Sequence, residues 1–255
     1  MPTVLAIGAH PDDIEFFMAG TLILLRDAGW TVHYMNLANG CCGSTNASSA
    51  DTARQRASES IAAARLAGFE YHPSLVDDMD IFYDRQTLKR LAAVVREVCP
   101  QMILTHPPID YMEDHTNTCR LVVSAAFTRE MPNFITDPLR PTVSGPITIY
   151  HAQPHGNRDP LNAVVHPHTY VDITSALDLK TQMLACHESQ QQWLETSQRM
   201  SAYLSEMQAL VREVGGMSGR FEYAEGWRRH LHLGFCEAND DPLTHSLSRF
   251  VASSA

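Results

Sequence analysis

The apolar and polar positions of the first half of the chain follow two alternating patterns. An apolar run at residues 4–7 stops at Gly8, and its length is typical of a buried strand. Apolar residues from Ile14 to Leu25 then recur at the spacing of one helix face, and Gly29 follows where a helix would end. Similar patterns repeat as far as Arg129. They predict strands at residues 3–8, 31–37, 72–76 and 101–105, and helices at residues 14–25, 51–66, 85–98 and 117–129.

This repeated order of strand and helix predicts the fold class. Strands that alternate with helices form a mostly parallel sheet with helices on both faces. We therefore predict a Rossmann-like α/β core over residues 1–130. His10 and Pro11 stand where a dinucleotide-binding turn has its close-approach glycines, which argues against NAD or FAD as a cofactor.

The pattern changes in the second half of the chain. Four prolines between residues 132 and 146 interrupt the alternation before the next strand pattern. We predict that residues 131–255 form an extension that caps the site, within a single domain over residues 1–255. The tail after Asp240 is expected either to be mobile or to reach a neighbouring subunit. Strands are predicted at residues 147–151 and 170–173, and long helices at residues 175–193 and 196–214.

Composition and charge narrow the function classes. The 255 residues are 44% hydrophobic, which is enough to bury the core of one large domain. Lysine and arginine number 19 against 29 acidic residues, and this net charge of −10 disfavours nucleic acid and anionic membranes as partners. The six cysteines include no Cys-x-x-Cys pair, and no apolar stretch reaches the roughly 18 residues of a membrane span. We expect a cytoplasmic protein that acts on a small molecule. The sequence does not decide between a monomer and a homo-oligomer.

Two loops concentrate the residues that bind metals. His10-Pro11-Asp12-Asp13 directly follows the first predicted strand, and residues 106–115 follow the strand at 101–105. Because the carboxyl ends of parallel strands meet at one edge of a sheet, both loops are expected to face each other there. An imidazole and two carboxylates in one turn repel each other unless a cation or a proton lies among them. A bound metal ion satisfies this requirement.

The residue types in these loops suit a catalytic metal site. Such a zinc site uses three nitrogen and oxygen ligands and leaves a fourth position for water. His10, Asp13 and His115 are the predicted ligands, for Zn²⁺ or another divalent transition metal. Asp12 is held next to the metal without having to bind it, which suits a general base. Asp114 is expected to orient His115 rather than to bind the ion.

Two motifs resemble those of the PIG-L (LmbE-like) zinc-dependent de-N-acetylases. They are Ala9-His10-Pro11-Asp12-Asp13 and Asp110-x-x-x-Asp114-His115. The resemblance spans about residues 3 to 190. It also includes Asn39-Gly40, Arg56-x-x-Glu59 with Gly68, Val171-Asp172-Ile173 and His187-x-Ser189-Gln190.

The resemblance implies both a fold and an activity. The family has an α/β fold related to the Rossmann type and removes the N-acetyl group of an amino sugar of the N-acetylglucosamine type. It implies that residues matching His10, Asp13 and His115 bind zinc, and that the residue matching Asp12 is the general base. Arg56 is expected to contact the substrate, and Asp78 is a further candidate because its carboxylate can accept hydrogen bonds from sugar hydroxyls.

One position departs from the family pattern. The family usually has a second histidine three residues before the ligand histidine, and this chain has Met112 there, which neither donates a proton nor carries charge. Either another histidine replaces it, or Asp12 returns the proton itself. Otherwise the protein binds metal and sugar with little turnover, and a third alternative is hydrolysis of another amide, such as a thiol conjugate. The candidate replacements are His151, His155, His166 and His168.

Overall fold

The computed structural model describes residues 1–197 and 203–253, and its centre is one mixed sheet. Five parallel strands come first in the sheet, and three strands in antiparallel pairing complete it. The strands are β1 (Thr3–Gly8), β2 (Thr31–Asn36), β3 (Glu70–His72), β4 (Met102–Thr105), β5 (Thr148–Ala152), β6 (Thr169–Asp172), β7 (Ala224–Arg229) and β8 (Val251–Ser253). Their order across the sheet is β3-β2-β1-β4-β5-β7-β6-β8.

Helices cover both faces of this sheet, as predicted. Successive side chains of β1 point to opposite faces: Val4 and Ala6 join one apolar core, while Leu5 and Ile7 join another. The mostly parallel α/β class is therefore confirmed. The helices are α1 (Asp13–Phe17), α2 (Ala19–Asp27), α3 (Ser49–Leu66), α4 (Arg85–Val98), α5 (Glu113–Phe127), α6 (Leu177–Ala185), α7 (Glu188–Ser197), α8 (Tyr203–Met217) and α9 (Pro242–Ser246).

The register of the central strands places the two ligand-rich loops together. Ile7 of β1 pairs with Thr105 of β4, so both strands end at nearly the same level. The loop after each strand therefore leaves the sheet at the same edge. This register is the reason that residues 10–13 and 106–115, which are distant in the chain, form one site.

Several helix boundaries differ from the predicted ones. The helix predicted at residues 14–25 is interrupted at Met18, whose φ is −133°, so that α1 and α2 are separate. The helix predicted at residues 175–193 is also two helices, which meet around His187. Helix α5 begins at Glu113, before the predicted start at residue 117, and this brings His115 into its first turn. The helix predicted at residues 196–214 is described from Tyr203, because residues 198–202 lie outside the described part of the chain.

The C-terminal part contributes strands that the apolar pattern did not predict. Strand β7 contains the charged residue Glu225, and it was missed because the pattern there is not apolar. Glu225 is buried because Lys180 Nζ lies 2.7 Å from its Oε1, and the backbone N–H groups of Gly20 and Thr21 donate to its two oxygens. The tail was expected to be mobile or to reach a neighbouring subunit, but β8 pairs with β6 of the same chain. Over residues 1–197 and 203–253, none of the helices has the length and apolar character that crossing a membrane requires.

Candidate metal centre and its cavity

The turn after β1 is organised around the carboxylate of Asp13. The backbone N–H groups of Ala9 and His10 both donate to Asp13 Oδ2, at 3.0 and 2.7 Å. Asp12 has a φ of 110°, in a region that residues other than glycine rarely adopt. Such a backbone costs about 1–3 kcal/mol and persists where the surrounding structure enforces it, often at functional sites. The turn therefore holds two adjacent carboxylates in fixed and different positions.

Three predicted ligands come together at this turn. His115 Nε2 lies 3.4 Å from Asp13 Oδ1, and His10 Nδ1 lies 3.5 Å from Asp13 Oδ2. One ligand atom from each of these three residues lies within 4.8 Å of the other two. Tetrahedral zinc bonds of about 2.0–2.1 Å place neighbouring ligand atoms roughly 3.3 Å apart. The donor set and its spacing therefore fit a tetrahedral divalent metal.

Carboxylates hold the outer nitrogen of each candidate histidine ligand. His10 Nε2 lies 3.0 Å from Asp114 Oδ2 and 3.2 Å from Asp78 Oδ1. His115 Nδ1 lies 3.1 Å from Asp110 Oδ1. Carboxylates in these positions fix the ring orientation of a metal-binding histidine and make it a stronger ligand. The inner atoms, His10 Nδ1 and His115 Nε2, are thereby directed at Asp13.

The partner of Asp114 differs from the predicted one. Asp114 was expected to orient His115, but its Oδ2 contacts His10 and accepts a hydrogen bond from the backbone N–H of Met79. Asp114 and His115 are consecutive in a helix, so their side chains point in directions about 100° apart. Asp110, in the preceding loop, reaches His115 instead. Its position in the second motif was the only sequence signal for this role.

Two other groups of residues in the described chain also place ligand atoms close together. They are His106 with Asp110 and His115, and His10 with Asp78 and Asp114. The ring of His106, which the sequence did not single out, stacks on His115 with centroids 4.0 Å apart. Burial lowers the pKa of His106. The set of His10, Asp13 and His115 is preferred because all three line one cavity together with Asp12.

Asp12 is the carboxylate of the pair that remains beside the predicted ligands. Its side chain is buried, and the hydroxyl of Tyr203 in α8 donates a hydrogen bond to Asp12 Oδ2. Burial and the neighbouring charge of Asp13 raise the pKa of Asp12 to about 6, although the charge of Arg56 acts in the opposite direction. A carboxylate with a pKa near the working pH is a suitable general base.

Arg56 lies under the loop that follows β2. It is only 2% exposed, and its Nη1 donates to the carbonyl oxygen of Gly40 at 3.3 Å. Its Nε and Nη2 have no hydrogen-bond partner within the described residues. A side chain at Gly40, whose φ is +69°, would lie 2.4 Å from the guanidinium. The glycine thus makes room for a buried cation with two unpartnered donors, and Arg56 also lines the cavity.

The cavity has a volume of 210 Å³ and combines ionisable and aromatic walls. Arg56 and Asp78, the predicted substrate residues, both line it, although Asp78 also contacts His10 as described above. Met112 lines it as well, so the departure from the family pattern lies inside the site. The aromatic part of the wall is formed by Phe16, Phe17, Tyr111, Trp193 and Tyr203.

The histidines that could replace the missing one lie in different places. Among the described residues, His155 lines the cavity, whereas His151, His166 and His168 are not part of its wall. His151 is buried beneath His106, with Nδ1 2.8 Å from the His106 carbonyl oxygen and Nε2 2.9 Å from His230 Nδ1. Burial lowers the pKa of His151 to about 4. Its position is that of a structural support for the second loop.

Comparisons with known proteins relate the chain to deacetylases and to a hydratase. Residues 5–126 match the PIG-L family model, described as GlcNAc-PI de-N-acetylase. A diacetylchitobiose deacetylase of Thermococcus kodakarensis is 28% identical over 235 residues, covering 88% of this chain and 82% of the deacetylase. A 4-oxalmesaconate hydratase of Pseudomonas putida is 28% identical over 233 residues, covering 88% of this chain and 87% of the hydratase. The crystal structure of the 4-carboxy-2-hydroxymuconate hydratase of Pseudomonas putida superposes with a TM-score of 0.77 at 23% identity. The match covers 94% of this chain and 99% of the hydratase, which shows a shared fold.

Proposed function

We propose that this chain, whose residues 5–126 match the PIG-L family model, is a zinc-dependent hydrolase of N-acetylated amino sugars. The reaction would release acetate and a free amine from a substrate of the N-acetylglucosamine type. The deacetylase relative supports the reaction class, because it is named for an N-acetylated disaccharide. The observation that carries the proposal is the joint presence of the three-residue ligand set and Asp12 at one cavity.

His10, Asp13 and His115 would hold the metal, for which their nitrogen and oxygen donors are suited. When bound, such an ion lowers the pKa of a coordinated water and polarises a carbonyl oxygen. Asp110, Asp114 and Asp78 would keep the two histidines oriented through their outer nitrogens.

The remaining residues would position the substrate and move protons. Asp12 would accept a proton from the attacking water at Oδ1 or Oδ2, and its position next to Asp13 keeps it within reach of that water. The unused Arg56 nitrogens would donate to oxygen atoms of the substrate. The aromatic side chains of the cavity would exclude bulk water and pack on the apolar face of a sugar ring.

Acetate release tests this proposal directly. Zinc-loaded protein, chelator-treated protein and Asp12→Asn would be assayed with N-acetylglucosamine and N,N'-diacetylchitobiose. Asp12→Asn preserves the shape of the side chain and is expected to lower kcat by roughly 10²–10⁴. His166→Asn, a change at an exposed histidine outside the cavity, is the matched control. Absence of acetate from the zinc-loaded wild type with both sugars would contradict the proposal.

Arg56 supports hydration of an unsaturated carboxylic acid as a second candidate function. The hydratase relative is named for a carboxylated substrate, and its sequence matches 88% of this chain. A buried guanidinium with two unused donors suits a carboxylate. Loss of the ultraviolet absorbance of a conjugated tricarboxylic acid, without acetate release from either sugar, would favour this candidate.

A further inference from the structure

His155 enters the cavity from the C-terminal half of the chain. It follows Pro154, just after β5, in a short turn over residues 155–157. Its ring centroid lies 5.5 Å from that of Phe16 and 6.1 Å from that of Phe17. The aromatic wall therefore holds the imidazole at the cavity.

The ring of Tyr111 packs near both His155 and His115 of the candidate metal centre. Its ring centroid lies 5.7 Å from the ring of His155 and 5.7 Å from the ring of His115. The two histidine rings are therefore at most twice this distance apart, and both line the same cavity. A substrate amide bound in this cavity would therefore have both histidines in its wall. A substrate whose carbonyl lies near the predicted metal ligands would thus share the cavity with the His155 imidazole.

Glu206 of α8 holds one nitrogen of this imidazole. His155 Nε2 lies 3.3 Å from Glu206 Oε1, and both side chains are about one-third exposed, at 31% and 30%. The carboxylate fixes the orientation of the ring and leaves Nδ1 as the second proton-carrying atom. A histidine whose other nitrogen is held by a carboxylate is a common arrangement in acid–base catalysis. Solvent access on one side allows the histidine to regain a proton after each turnover.

We propose that His155 is the proton donor to the leaving nitrogen and that Glu206 is its positioning residue. The inference rests on the proposed hydrolase function. It assigns to the C-terminal half a role that Met112 is unable to fill, because a thioether has no proton to donate. His155 is the one candidate histidine of the four that lines the cavity in the described part of the chain, and Met112 lines the same cavity.

The proton balance of the reaction is complete with these groups. The water oxygen bonds to the acetyl carbon, and one water proton passes to Asp12. The C–N bond then breaks as protonated His155 gives its Nδ1 proton to the nitrogen, which leaves as a neutral amine. Acetic acid loses its own proton to become acetate. Two protons are then left, one on Asp12 and one released by acetic acid. One of them returns to His155, and the other enters solvent.

The test uses two substrates that differ in their need for a proton donor. N-acetylglucosamine has a basic amine leaving group, whereas the leaving group of p-nitrophenyl acetate departs as a stable anion. Zinc-loaded His155→Asn is expected to lower kcat for the sugar by roughly 10²–10³ and to leave the ester rate within about threefold of wild type. Glu206→Gln is expected to lower only the sugar rate, by roughly tenfold. His166→Asn should change neither rate.

A rescue variant distinguishes the loss of a proton donor from a general disturbance of the cavity by His155→Asn. Met112→His in the His155→Asn background should restore at least part of the sugar rate, because it supplies a donor from the other loop. Unchanged zinc content and thermal unfolding would establish that each variant is folded. Equal losses with the sugar and the ester, or full sugar activity in His155→Asn, would overturn the role of His155 alone. A wild type that releases no acetate from the sugar would overturn the hydrolase proposal and this inference together.

Discussion

The hydroxyl of Tyr203 donates a hydrogen bond to the Asp12 carboxylate, which joins helix α8 to the first turn of the chain across 191 positions. Tyr203 is 3% exposed, and its ring packs on Phe16 with centroids 5.6 Å apart. Burial and the nearby Asp12 charge raise the pKa of the phenol, so it remains a donor across the physiological range. The C-terminal half of the chain thus reaches the proposed general base directly.

Removing this hydroxyl should alter the pH dependence of activity. The Tyr203 hydrogen bond lowers the pKa of Asp12, so Tyr203→Phe raises it. A base is active when deprotonated, and activity is lost as the pH falls through its pKa. The acid limb of kcat/KM should therefore move to higher pH, while the phenylalanine ring preserves packing on Phe16. A pH profile of acetate release measures the shift, and an unchanged limb would show that the hydrogen bond does not tune Asp12.

Asp110 should be required for tight metal binding without being a ligand itself. Its Oδ1 lies 3.1 Å from His115 Nδ1, and its side chain is almost fully buried. Asp110→Asn keeps the size of the side chain but removes the charge that orients His115, and should weaken zinc affinity by roughly 10–100-fold. Competition with a chromogenic chelator measures this change.

Asp178→Asn is the matched control for Asp110→Asn, since Asp178 is exposed in the first turn of α6, outside the cavity wall. It should leave zinc affinity unchanged. Equal affinities of Asp110→Asn and wild type would instead mean that His115 is held in place without its carboxylate partner.

Arg56 should contribute more to substrate binding than to stability. Its Nε and Nη2 make no hydrogen bond in the described part of the chain, so folding obtains little from them. Arg56→Met removes a buried cation and keeps an apolar stem of similar length. We expect KM to rise at least roughly tenfold, with a change of no more than about 1 kcal/mol in the free energy of unfolding. Denaturant unfolding and initial rates measure the two quantities; a large stability loss with unchanged KM would assign Arg56 a structural role.

The sequence predicted those elements whose limits are determined by the local pattern of apolar, polar and capping residues. Helix α4 has its predicted limits because Asp84 caps its start and an amphipathic sequence follows. The candidate ligands could also be predicted, because parallel strands bring His10, Asp13 and His115 to one edge of the sheet. The location of these three residues depends only on where the strands end.

Contacts between distant segments were not accessible in this way. Tyr203 meets Asp12 through the packing of α8, and nothing in the residues around either position indicates that contact. Strand β7 was missed for a similar reason, because Glu225 is buried only through partners in α6 and at the start of α2. A buried charge is stable when distant residues neutralise it, and those partners are unknown before the fold is known.

The pair of Lys180 and Glu225 should contribute strongly to the stability of the fold. Both side chains are essentially fully buried, with Lys180 Nζ 2.7 Å from Glu225 Oε1 and 2.9 Å from the carbonyl oxygen of Phe16. Lys180→Met leaves the Glu225 carboxylate buried without its cation and should destabilise the protein by about 3–5 kcal/mol. Lys180→Met with Glu225→Gln should recover part of this loss, because the neutral amide keeps an oxygen that accepts from Gly20 or Thr21. Denaturant unfolding of wild type and both variants gives the comparison, and a single variant as stable as wild type would mean that Glu225 is adequately held by the α2 backbone alone.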